Sequence, residues 1–80
     1  MKTKMAFGWL VQVSNRPGGK GDETIQRFNV AEPNKDEAVK SVRRRVPGGE
    51  GATVVALEGL SRHTVYNLLR LRRGDMTAAL

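Results

Sequence analysis

The residues best equipped for chemistry in this chain are cationic and grouped. Arg62, Tyr66 and Arg70 are spaced i, i+4, i+8, with Arg73 beside them and His63 on their flank. At about 100° per residue such positions share one sector of an α-helix. Guanidinium forks match phosphate oxygens and a phenol ring can stack on a base, so the chemistry implied is recognition of nucleic acid, DNA or RNA. No acid stands between Ser61 and Gly74 to neutralise the stripe. Arg43, Arg44 and Arg45 form a second cluster that merges with the first if both helices lie on one face of the fold. The plainer alternative for both clusters is a solvated, arginine-rich surface.

Catalysis finds little to work with. The single histidine, His63, has Ser61 nearby but no acid at a helical spacing to orient its ring, so no triad is formed and no catalytic residues are assigned. There is no cysteine, which removes disulfides, thiolate metal sites and cysteine nucleophiles, and suits a cytoplasm-like compartment. The acids are scattered at 22, 23, 32, 36, 37, 50, 58 and 75, so no metal site is expected. Gly18-Gly19-Lys20-Gly21 resembles part of a phosphate-cradling loop, but the lysine is followed by Gly21-Asp22 and a strand instead of Ser or Thr and a helix. A dinucleotide fingerprint fails in the same way before Ala52. An anion could still dock on the amides near Arg16 and Lys20. The reading is therefore a binding protein, not an enzyme, with no cofactor.

The elements that must carry these residues follow from periodicity. Over 6–14, Phe7, Trp9, Val11 and Val13 alternate on one face of a strand, leaving Ala6, Gly8, Leu10 and Gln12 on a small, mixed second face. A loop with three glycines and a proline follows at 16–22. The second strand spans about 24–31, with Phe28 and Val30 inward, Gln26 at the margin, and Arg27 and Asn29 facing away. Glu32-Pro33 ends it. Asn34 with Glu37 three residues on is a helix start, Asp36 and Glu37 suit the positive end of the dipole, and Arg43–Arg45 suit the negative end. The helix covers 35–45, with Ala38, Val39, Val42 and Val46 on one side, and Pro47-Gly48-Gly49 stops it.

A third strand, 52–58, is short, bounded by glycines and rich in β-branched residues, which predicts a buried strand. Ser61 is a plausible N-cap, Leu60 and Val65 sit at staple positions, and Gly74 falls just past the end, which predicts a second helix over 62–73 with an apolar stripe of Val65, Leu68 and Leu69. The order β-β-α-β-α predicts one small two-layer α+β domain over 1–80: a three-stranded antiparallel sheet in the order 2-1-3, two helices on one face, and flexible ends at about 1–5 and 75–80. Pro-Gly-Gly-x-Gly occurs at 17–21 and 47–51, but the flanking segments do not match, so no duplication is inferred.

Gly59-Leu60-Ser61-Arg62-His63-Thr64-Val65-Tyr66-Asn67-Leu68-Leu69 resembles the turn and recognition helix of helix-turn-helix DNA-binding proteins. The match covers eleven residues. It departs upstream, where Thr53-Val54-Val55 favours a strand and Glu58 stands where that family buries an aliphatic. The resemblance implies Arg62, His63, Tyr66 and Asn67 as groove-facing residues.

Composition bounds the partners. Fourteen basic against eight acidic residues leave a net charge of +6, which favours an anionic partner. The apolar block 7–13 is far shorter than the roughly 20 residues that span a bilayer, and no small-x-small cleavage site follows it, so neither a membrane nor a signal peptide is expected. The third strand is apolar and lies at a sheet edge, which makes a protein partner or a homodimer the alternative function.

Overall fold

The structure is a computed structural model that describes residues 6–15, 24–46, 48 and 51–79. The expectations for the flexible start at 1–5 and for the glycine loop at 16–22 lie outside the described residues. So do Pro47 and Gly49 of the helix stop.

The sheet has four strands, all pairs antiparallel, in the order β3-β1-β2-β4. β1 is Gly8–Asn15, β2 Thr24–Val30, β3 Thr53–Leu60 and β4 Met76–Ala78. One α-helix, α1, spans Lys35–Arg45, and a π-helical segment spans His63–Leu68. This corrects the expected three-stranded sheet of order 2-1-3. The tail expected to be loose forms β4, which adds to the free edge of β2, with Phe28 opposite Ala78 and Val30 opposite Met76. Backbone bonds fasten it at both ends: Gly74 N to Ala31 O at 2.7 Å, Ala31 N to Asp75 O at 2.8 Å, and Ala79 N to Arg27 O at 2.7 Å. A strand of three residues has almost no propensity signal of its own; what creates it is the row of unpaired groups on β2.

The second correction concerns the faces. Side chains alternate across a strand. Val11 and Val13 pack with Ala38, Val42 and Val46 of the α1 region, and with Val30 and Val54, in one buried cluster joined by Trp9, Phe28 and Met76. Leu10 packs instead with Ala31, Leu60, Val65 and Leu71 in a second cluster. The two helical segments therefore lie on opposite faces of the sheet, not on one. Gly8 makes this possible. A Cβ there would come within 2.9 Å of Val65 Cγ2 and would collide with Val30 O, so only glycine lets Val65 close onto the strand. Phe7, expected to share a face with Trp9, lies before β1 and joins the second cluster. β3, expected to be buried, exposes Thr53, Val55 and Leu57.

The third correction is the second helix. Helical conformation ends at Leu68, not at residue 73. On an ideal helix, Leu71 would sit about 120° around from Val65 and miss the core. Instead Leu69 N bonds Thr64 O and Leu71 N bonds Val65 O, both at 2.9 Å, and Arg70 takes φ +54°. The wide turn brings Leu71 in beside Val65 and leaves Leu68 66% exposed. Gly74, expected as the residue past the helix end, takes φ +91° in the turn into β4.

α1 forms where local chemistry places it. Asn34 Oδ1 accepts from Glu37 N at 3.0 Å, Asp36 and Glu37 occupy the first turn, and Arg43–Arg45 the last. Trp9 Nε1 donates to Pro33 O at 2.9 Å, and Lys35 Nζ lies 5.7 Å from the Trp9 ring, which ties the start of the helix to β1. No helix among the described residues is long and apolar enough to cross a membrane.

Candidate nucleic-acid interface

The cationic residues near the C-terminus sit on a corner built by two anchors. Val65 is fully buried and Leu71 is 9% exposed; between and around them the chain is pushed outward. Ser61 Oγ accepts from Thr64 N at 3.1 Å, which starts the segment as an N-cap does. Arg62, His63, Tyr66 and Asn67 are exposed on it. Asn67 Nδ2 lies 3.0 Å from His63 Nδ1, and the Tyr66 ring meets Phe7 edge-on with centroids 6.1 Å apart.

Arg70 and Arg73 are exposed too, but they are off the helix, so the i, i+4, i+8 flank is not what displays them. The bond from Leu71 N to Val65 O folds the backbone back onto the helical segment, with Arg70 at the reversal. Arg72, which the i, i+4, i+8 spacing does not include, is exposed in the same turn, with its backbone N–H bonded to Asp75 Oδ2 at 2.9 Å. Where the helix-turn-helix resemblance implies an upstream helix, the chain is strand β3.

Arg43, Arg44 and Arg45 are elsewhere. Arg44 and Arg45 are exposed, while Arg43 is half-buried and its Nε is buried without a hydrogen-bond partner. They lie on the α1 face, at the end of the sheet where a Cβ on Gly48 would be 3.4 Å from Asn15 Nδ2. The C-terminal corner lies on the other face, at the Gly8 end. The length of β1 separates the two, on the order of 20 Å. The two arginine clusters do not merge.

The part of the second face that the corner leaves open carries a polar row. Gln12 stands between Arg27 on β2 and Val55 on β3, and Ser14 between Ile25 and Thr53. Arg27 Nε donates to Gln12 Oε1 at 3.0 Å. Where β4 stops short of the start of β2, a shallow groove of about 270 Å³ is lined by Ile25, Arg27, Phe28 and Ala79 among others. Sequence alternation turned Arg27 away from the core but gave no reason to couple it to a site, because its neighbours on the face come from three strands.

Among the described residues, no group of three or more His, Asp or Glu side chains is placed to hold a metal ion. No protein-family model, curated protein or solved structure matches the chain.

Proposed function

We propose that this protein is a small basic module that binds nucleic acid at its C-terminal corner, through Arg62, Arg70 and Arg73, with Tyr66 and His63 among them. One observation carries the reading: four arginines, these three and Arg72, are exposed on a single short segment that Val65 and Leu71 anchor in the fold and that contains no acid between Ser61 and Gly74. Guanidiniums held this way contact phosphates without unfolding anything. Labelled DNA and RNA at about 50 mM salt should bind with an affinity that falls as salt rises. Changing Arg62, Arg70 and Arg73 together to Ala should lower the log–log salt slope on a single strand by about 2. Absence of binding at that salt overturns the reading.

A second reading rests on β3. Its outer edge has no strand neighbour among the described residues, and it exposes Val55 and Leu57, 45% and 46% accessible. Such an edge pairs with another strand, and a second copy of the chain supplies one. The register shift between Leu10 and Val11 leaves Leu57 as an extra, bulged residue, which limits regular pairing to the Thr53–Ala56 stretch. Light scattering on the binding samples separates the two readings: a dimer without nucleic-acid affinity favours the edge, and a monomer at high concentration removes it.

A further inference from the structure

We propose that the site is longer than the corner: a single-stranded nucleic acid runs from the Arg62–Arg73 corner onto the open part of the same sheet face, over Arg27, and the Arg43–Arg45 cluster lies outside this track. The inference rests on the nucleic-acid reading above and adds the strand type, the path and a further residue.

Pleating places Leu10, Gln12 and Ser14 on the face that carries the corner. Leu10 lies in the cluster with Val65 and Leu71, so the corner covers that end. The next two rows, Gln12 with Arg27 and Val55, then Ser14 with Ile25 and Thr53, follow at steps of about 7 Å. Among the described residues, Arg27 is the cation of this open region. Its bond to Gln12 uses one guanidinium N–H and holds the group across the sheet, leaving the remaining donors for a phosphate. Ile25 stands two residues before it on the same face of β2 and Val55 lies across Gln12 on β3, 50% and 45% exposed. Glu58 stands opposite Leu10 on β3, so the face is acidic on the β3 side and basic on the β2 side, which directs a phosphate backbone along Asn29 and Arg27.

This mixture selects the ligand. A face that carries one fixed guanidinium and two exposed aliphatic side chains fits a partner that offers phosphates and bare base faces together. A single strand does so; a duplex hides its base faces and shows only phosphates and groove edges. Arg44 and Arg45 are carried by α1, on the opposite face of the sheet.

The test is fluorescence anisotropy of the full chain with a mixed-sequence 12-nucleotide single strand, the matching duplex, and poly-glutamate as competitor, at about 50 mM salt. Arg27→Ala and Arg62→Ala should each weaken single-strand binding by about tenfold, as loss of a charged hydrogen bond does. The double change Arg44→Ala/Arg45→Ala should leave it nearly unaltered, and the duplex should bind more weakly than the single strand. Unchanged melting curves certify that the variants fold, and amide shifts at Gln12, Arg27 and Val55 on titration trace the path independently. The track is overturned if Arg27→Ala has no effect, if the Arg44/Arg45 pair matters as much, if the duplex binds equally well, or if poly-glutamate competes on equal terms. In those cases binding itself survives; failure of the native chain to bind either nucleic acid removes the function reading along with the track.

Discussion

Each face of the sheet carries a helical element, and the two are held by different means. α1 is a regular helix with its own start signal, its own dipole-matched charges and a full apolar side: Ala38, Val42 and Val46 reach Val11, Val13, Val30 and Val54. The segment after β3 is six residues of wide helix followed by a reversal, and its buried contribution is Val65 and Leu71 over Ala31 and Leu60. The arginines differ accordingly. Arg43–Arg45 sit where a helix C-terminus stabilises positive charge, so a structural role accounts for them. Arg62 stands at the start of the helical segment, where positive charge gains nothing from the dipole, and Arg70, Arg72 and Arg73 follow an end only six residues away, with Arg70 in a backbone conformation that costs a side-chain-bearing residue about 1 kcal/mol or more. The face with the thinner core is the one whose cations a regular helix end explains least.

The largest expected effect comes from the point where the two faces meet. Gly8→Ala places a methyl against Val65 and the Val30 carbonyl and should lower stability by about 3 kcal/mol in urea unfolding. A neutral outcome would mean that the C-terminal segment does not close onto β1 as described. Next, Val42→Ala should cost about 2 kcal/mol and lower the global transition, because Val42 is fully buried in the larger cluster. Val65→Ala removes the same atoms from the smaller cluster. Its main readout should be faster hydrogen exchange at Leu69 and Leu71, whose amides close the turn, with a smaller global loss. Equal global losses for the two changes would mean that the two faces unfold as one cooperative unit. The smallest effect is the most discriminating: Arg70→Gly should raise stability by up to about 1 kcal/mol, since glycine adopts φ +54° freely, while weakening nucleic-acid binding. A loss of stability instead would show that the Arg70 side chain helps hold the turn.

Local features were readable from residues alone. Asn34 and Glu37 announced the start of α1, and alternation of Val11 with Val13 and of Phe28 with Val30 announced two strands. Both signals are short-range: a cap is written within four residues, and a strand's inward side within three. The arginine-rich segment was legible as a composition, and its cations are exposed as a basic surface requires. Their arrangement was not legible, because the helical stripe assumed a regularity that burying Leu71 broke.

By itself, then, the amino-acid order determined the cap of α1, the inward placing of Trp9, Val11, Val13, Phe28 and Val30, and the concentration of positive charge after Ser61. Only the tertiary structure decided that Met76–Ala78 becomes a strand, that Val65 and Leu71 pack on the face opposite α1, and that Arg27 stands in line with the C-terminal corner while Arg43–Arg45 do not. The reason is that these outcomes are pairings between distant segments. A free strand edge, a glycine gap and a face left open after the first helix docks are properties of an assembled sheet, and no window of neighbouring residues contains them.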